Sequence, residues 1–266
     1  MTTVHYAVQT CDVKSFQNPK RFCGSDRTLL CKKSIRSLIN SIQHCGTARP
    51  DTKHVINIIK DTCSEDLSSY LQTLVQENAH DNIDIQLSDL GAATGIVASI
   101  RNCYEWLDRA GQDLVFQVQD DYLFSVACVQ DSVEHFYTAL SDTQTECIIQ
   151  PYNDITYWYF QYKNRSTPRL ISLGKKGYWI QIYDTSCSFL TSHRQFRQHW
   201  DLYERFFELI PTATSDNPVL ENRSLNYMFT QRGVLGLAPV NTLSHHIQTQ
   251  PDLYVDWRAL WDDIKV

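Results

Sequence analysis

The chain has 266 residues, 42% of them hydrophobic and 20% charged, with a formal net charge of −6. That length and composition fit one large globular domain with a sizeable core. The acidic balance argues against a protein that grips polyanions over a broad surface, and leaves room for a local basic pocket around a diphosphate. The nine cysteines (Cys11, Cys23, Cys31, Cys45, Cys63, Cys103, Cys128, Cys147 and Cys187) include no Cys-x-x-Cys pair, so reduced, buried thiols are expected and no zinc ribbon. Met1 to Tyr6 has no signal-peptide pattern, and no apolar run approaches the length of a membrane span. The expectation is a soluble cytoplasmic protein.

Val4 to Thr10 reads as a first strand, followed by a polar loop through Asp26. Leu29, Leu30, Ile35, Leu38, Ile39 and Ile42 have helical spacing, with Ser25 or Asp26 as the cap. Gly46 to Lys53 is a break around Pro50. His54 to Ile59 is a β-branched strand that runs into Lys60-Asp61-Thr62-Cys63-Ser64-Glu65-Asp66, and a helix follows over Leu67 to Glu77. A third strand over Ile83 to Leu87, a break at Gly91 to Gly95 and a helix over Ile96 to Leu107 lead to Asp113.

From Asp113 the sequence alternates apolar and polar residues to Val118, then delivers Asp120-Asp121 and turns apolar again. Adjacent carboxylates repel, and near an apolar interior each needs a compensating partner. Two readings follow: a solvated turn, or a site for Mg²⁺ or Mn²⁺ completed by phosphate oxygens. The alternation of strands and helices predicts a parallel α/β sheet, whose ligands sit at the carboxyl ends of the strands. Asp12, Asp61 and Asp120-Asp121 each follow an apolar strand, so the pattern gathers them on one edge.

A helix over Val126 to Leu140 and a short strand over Glu146 to Ile149 come next. Tyr157 to Tyr162 and Tyr178 to Tyr183 read as an aromatic, antiparallel addition to the sheet. Helices are expected over Ser192 to Leu209 and over Leu220 to Gln231, the second closed by Gly233, with a polar loop from Pro211 to Pro218 between them. Trp257 and Trp261, four residues apart, would dock the tail onto the body.

In this order the motifs resemble the family-2-like glycosyltransferases of the GT-A fold, over about the first 240 residues. Ile58 to Asp66 is similar to that family's apolar strand and acidic, Ser-containing turn. Gly95 and Arg101-Asn102 resemble its helix leading to the metal motif, and Gln119-Asp120-Asp121 resembles its Asp-x-Asp or Glu-Asp-Asp motif. Ser188 to Arg194 with Phe196, and Glu221 to Asn226 with Arg232-Gly233, resemble its acceptor-side passage and the helix opened by its Glu-Asp pair. His245-His246 resembles its metal-binding C-terminal His. The resemblance implies an α/β, Rossmann-like and mostly parallel sheet flanked by helices, with a smaller antiparallel addition on the acceptor side. It implies one catalytic domain over 1–266: a nucleotide-sugar half (1–125), an acceptor half (126–240) and a tail (241–266).

The implied activity is a metal-dependent, inverting transfer of one sugar from a nucleotide-diphosphate sugar, UDP first, to a hydroxyl of a glycan, a small molecule or a modified nucleic acid. Mn²⁺ or Mg²⁺ would be held by Asp121 and His246, with His245 the alternative. Asp61 or Asp12 would meet the base and Asp120 the ribose or donor sugar. Lys60, Arg27 or Arg232 would supply positive charge. Glu221 is the first choice of catalytic base and Asp184 the second. The departures are Gln119 for an acid, Asn222 for an Asp, and no Gln-x-x-Arg-Trp signature of processive enzymes. A nucleotidyltransferase is the alternative enzyme class, and a non-catalytic nucleotide- or sugar-binding module on the same fold is the third reading.

Overall fold

The computed structural model describes residues 1–13, 26–91, 95–153, 170–185, 188–212, 221–247 and 256–266. The strands are β1 (Thr2–Thr10), β2 (Thr52–Lys60), β3 (Ile83–Asp89), β4 (Leu114–Gln119), β5 (Tyr122–Phe124), β6 (Cys147–Ile149), β7 (Ile171–Leu173), β8 (Tyr178–Ile182), β9 (Phe189–Ser192), β10 (Leu235–Pro239) and β11 (Ser244–His246). The helices are α1 (Arg27–Ala48), α2 (Glu65–Asn78), α3 (Ile96–Ala110), α4 (Cys128–Thr143), α5 (His193–Gln198), α6 (Trp200–Leu209), α7 (Tyr227–Thr230) and α8 (Trp257–Asp263).

Among the described residues, nine strands form one sheet in the order β3-β2-β1-β4-β9-β6-β10-β8-β7. β3, β2, β1 and β4 are mutually parallel, and β9 and β8 run against their neighbours. Both faces of the sheet are covered, so β1 and β4 are buried throughout their middles, the polar His5 and Gln117 included. Val4, Tyr6 and Val8 face a core with α1, α2 and α4, whereas Ala7 faces one with α3, α5, α6 and α7. β11 and β5 form a separate antiparallel pair. No described helix is long and apolar enough to cross a membrane.

The caps follow the sequence. Leu29 N donates to Asp26 Oδ1 at 2.9 Å and opens α1, and Leu67 N donates to Ser64 Oγ at 3.2 Å and opens α2. Ser64 is thus the cap of α2. α1 runs on to Ala48, through the expected break at Gly46. The Trp pair docks as expected: Trp257 and Trp261 pack with Leu30, Leu123 and Ile247.

Two expected helices differ. Ser192 to Leu209 is split at His199, whose N–H turns back to Phe196. Leu220 to Gln231 is a 3₁₀ turn over Glu221–Arg223, a turn, and the short α7. The apolar spacing there is satisfied by burial of Leu225, Met228 and Phe229 without a continuous helix. Gly233 adopts φ +70°, which lets the chain turn from α7 into β10. The expected antiparallel addition exists as β7, β8 and β10, while Tyr157 to Tyr162 and Ala213 to Pro218 lie outside the described residues.

Candidate active site

The parallel strands β1, β2 and β4 end side by side, so Asp12, Asp61 and Asp120-Asp121 follow from one sheet edge as the pattern required. Asp120 is 5% exposed and fully engaged. Its Oδ1 is ion-paired with Arg27, and its Oδ2 accepts from Cys11 N at 3.0 Å and from Cys31 Sγ at 3.1 Å. Arg27 Nε also donates to Cys11 O at 3.1 Å. Burial works against the Arg27 charge, but Asp120 outweighs it and holds the guanidinium firmly protonated. The cation needed by one of the two carboxylates is therefore a side chain of the first turn of α1.

Asp121 has a different partner. Its Oδ2 lies 3.1 Å from His246 Nε2, and its backbone oxygen accepts from Ile247 N at 2.9 Å. β5 and β11 make this meeting: His246 pairs with Tyr122 in register, and their rings stack at 4.8 Å and 14°. Tyr152 meets the His246 ring edge-on at 6.2 Å. The strand alternation that turns His246 to Asp121 turns His245 into the tail core, where it stacks on Trp257 at 5.4 Å. Gln119 N donates to Ser188 Oγ at 3.2 Å, which ties the turn to the start of β9.

The other polar residues of the edge divide into structure and opening. Asp12 accepts from Thr28 Oγ1 at 2.7 Å and from Ser64 N at 2.8 Å, as well as from Ser64 Oγ, so it joins α1 to the start of α2. Burial raises its pKa, but these hydrogen bonds outweigh it and hold the carboxyl below its ordinary value. Asp61 is buried in the turn after β2, where Thr62 Oγ1 donates to its Oδ1 at 3.1 Å. Thr62 itself has φ 53°, a left-handed conformation uncommon for a β-branched residue and concentrated at functional turns. Lys60 pairs with Asp89 at 2.9 Å across the ends of β2 and β3. Arg232 is not at this edge: it holds Asp201 and lies 3.2 Å from His199 Nδ1.

Glu221 and Asp184 form a second group, on the face covered by α3, α5 and α6, where Tyr183 and Leu225 pack into that core. Burial raises the Glu221 pKa above its ordinary value, and the neighbouring Asp184 charge raises it further. Asp184 Oδ1 accepts from Asn226 Nδ2 at 2.6 Å, and Asn226 Oδ1 accepts from Thr185 N at 3.1 Å.

Sequence reasoning missed the Cys11, Cys31 and Tyr122 contacts and the Asn226 clamp. Tyr122 had a signal, being an aromatic directly after the acids. Cys11 and Cys31 had none beyond their place after β1 and in the first turns of α1. Among the described residues no three His, Cys, Asp or Glu side chains cluster as a metal cage. Asp121 and His246 bring together one carboxylate and one imidazole, a pair of donors that would suit a borderline divalent cation completed by phosphate oxygens and water.

No family model matches the chain, and no curated protein matches it. Among solved structures it is similar to a mannosyltransferase from Pyrobaculum calidifontis in complex with GDP-Man and Mn²⁺, at TM-score 0.50 and 12% identity, over 97% of this chain and 60% of that one. The galactosyltransferase LgtC, in complex with donor and acceptor sugar analogues, matches at TM-score 0.40 and 14% identity over 84% and 70%. A UDP-glucose pyrophosphorylase matches at TM-score 0.46 and 8% identity over 94% of each chain. The chain thus spans about three fifths of the mannosyltransferase's length. The fold is of the GT-A type: a large, mostly parallel sheet flanked by helices, with a small antiparallel pair beside it.

Proposed function

We propose that the protein is a metal-dependent glycosyltransferase that moves one sugar from a nucleotide-diphosphate sugar, UDP first among the nucleotides, to an acceptor hydroxyl with inversion. The observation that carries this reading is the meeting of Asp121 with His246 across 125 positions of sequence, at the carboxyl edge of the parallel sheet. Such edges are where α/β folds take their ligands. Asp121 Oδ2 and His246 Nε2 would hold Mn²⁺ or Mg²⁺, which when bound stabilises the negative charge growing on the diphosphate leaving group.

The chain's own residues supply the rest. Asp61, beyond β2, accepts from the base, while Asp12 is committed to holding α1 and α2 together. Asp120 fixes the turn by its bond to Cys11 and its pairing with Arg27, and so aims Asp121. Arg27 and Lys60 place positive charge beside the diphosphate. Glu221 takes the acceptor proton: a carboxyl with a raised pKa is the better base near neutral pH. Burial, and after it the charge of Asp184 held by Asn226, keeps that pKa high.

The test is hydrolysis and transfer from UDP- and GDP-sugars, with and without Mn²⁺, in wild type and Asp121→Ala. We expect metal-dependent turnover in wild type and a loss of about 10²-fold or more in the variant, the size expected when several kcal/mol of charge stabilisation is removed. Absence of metal-dependent nucleotide binding and turnover in wild type would sink the reading.

A further inference from the structure

A second polar cleft, of about 70 Å³, lies between the first turns of α4 and the β7–β8 hairpin, closed at its far side by Pro239, Asn241 and Leu243. It has room for several hydroxyl-sized groups at roughly 15 Å³ each. On its wall stands His135, 2% exposed, with neither ring nitrogen hydrogen-bonded. Buried polar groups are nearly always paired, so an imidazole with both nitrogens idle calls for a partner. The ring is held rigidly. It stacks on Trp179 at 4.2 Å and 7°, and Gly174 passes so close that a Cβ there would lie 3.0 Å from His135 Nδ1 and 2.7 Å from Trp179 Nε1.

The charges of the cleft cancel. Lys176 pairs with Asp131 at 2.9 Å and Lys175 with Glu134 at 3.5 Å. Burial pushes the His135 pKa down to about 4, so the ring is neutral at ordinary pH and offers one donor and one acceptor. That combination suits a hydroxyl, which both donates and accepts, better than an ion of either sign. At the rim Tyr178, 60% exposed, presents an aromatic surface for the apolar face of a sugar ring. The segment after β10 carries Asn241 and Leu243 of the cleft and then His246 of the candidate metal site, so the two lie along one stretch of chain.

We propose that this cleft binds the hydroxyl-bearing edge of a neutral sugar belonging to a glycan acceptor. The acceptor role rests on the glycosyltransferase reading above; the sugar site does not. Its test is saturation-transfer NMR with the methyl glycosides of glucose, galactose, mannose and N-acetylglucosamine, with glucuronate and glucosamine as charged counterparts. The proteins are wild type, His135→Phe, which keeps a stacked ring without nitrogens, and Tyr178→Ala, which alters an exposed side chain should the first variant fail to fold.

At least one neutral glycoside is expected to bind wild type. Its binding should weaken about fivefold or more in His135→Phe, as loss of one or two neutral hydrogen bonds requires, and measurably in Tyr178→Ala. Mn²⁺-dependent nucleotide binding should be unchanged in both variants. Binding of none of the neutral glycosides, equal binding of the charged sugars, or indifference to both substitutions overturns the site. If wild type binds glycosides but no nucleotide, the cleft stands as a sugar site and the glycosyltransferase reading falls.

Discussion

Two acids in this chain are treated in opposite ways. Asp120 is buried and surrounded by what a carboxylate wants: a guanidinium, a backbone N–H and a thiol. Glu221 is half-buried beside another acid, and both the burial and that neighbouring charge push its pKa up. The first arrangement fixes a charge in place. The second makes a charge costly and a proton easy to hold. In the proposed reaction, an Asp-Asp turn aimed by the first and a base tuned by the second would divide the work of positioning and proton transfer between two parts of the fold.

The largest effect that separates them is on turnover. Glu221→Gln keeps the shape and removes the base, so kcat for transfer should fall by about 10²–10⁴-fold, the usual range for general-base loss, with metal-dependent nucleotide binding intact. A drop of less than tenfold would hand the role to Asp184 or to another group. The matching change at the other site acts on stability instead. Arg27 and Asp120 side chains are 15% and 7% exposed, so Arg27→Met leaves a buried carboxylate without its cation. Breaking such a pair costs about 3–5 kcal/mol, or a Tm lower by roughly 6–20 °C for a domain of this size. Adding Asp120→Asn to Arg27→Met should recover part of that loss in thermal unfolding. No recovery would mean that Arg27 stabilises α1 by packing rather than by charge.

The same contrast explains what the sequence could tell. The pairing of Asp121 with His246 was suggested by the family resemblance, and β5 and β11 bring the two side chains within 3.1 Å. The strand β2 was legible through its β-branched run, and β4 through its alternation of apolar and polar residues. Asp26 announced its helix through capping chemistry. The Arg27–Asp120 pair spans 93 positions, and nothing local in either residue names the other. The stretch from Leu220 to Gln231 misled for a related reason. Apolar spacing reports which side chains are buried, and Asn226, reaching Asp184 and Thr185, holds a turn where spacing alone predicts a helix.

The coupling of Glu221 to Asp184 has its own test, smaller in size and read in pH. On the proposed role turnover needs Glu221 deprotonated, so kcat should fall as pH falls through a value above that of an ordinary Glu. Asp184→Asn removes the like charge, which lowers the Glu221 pKa and moves that acid limb to lower pH. Movement in the other direction, or none, would show that burial alone sets it.

The smallest effect concerns Asp12, a third acid, compensated by hydrogen bonds where Asp120 uses a cation. Ser64→Ala removes the Leu67 cap and one bond to Asp12 together, at a cost of about 1–2 kcal/mol at neutral pH. The pH dependence distinguishes the two parts. Asp12 has a depressed pKa in the fold, so its contribution is present above its unfolded value and lost as pH falls through the folded one. The cap bond does not titrate. Denaturant unfolding of wild type and Ser64→Ala should therefore converge as pH is lowered into the acid range, leaving a residual difference from the cap. A constant gap across that range would show that Ser64 acts on α2 alone, and that Asp12 is held chiefly by Thr28.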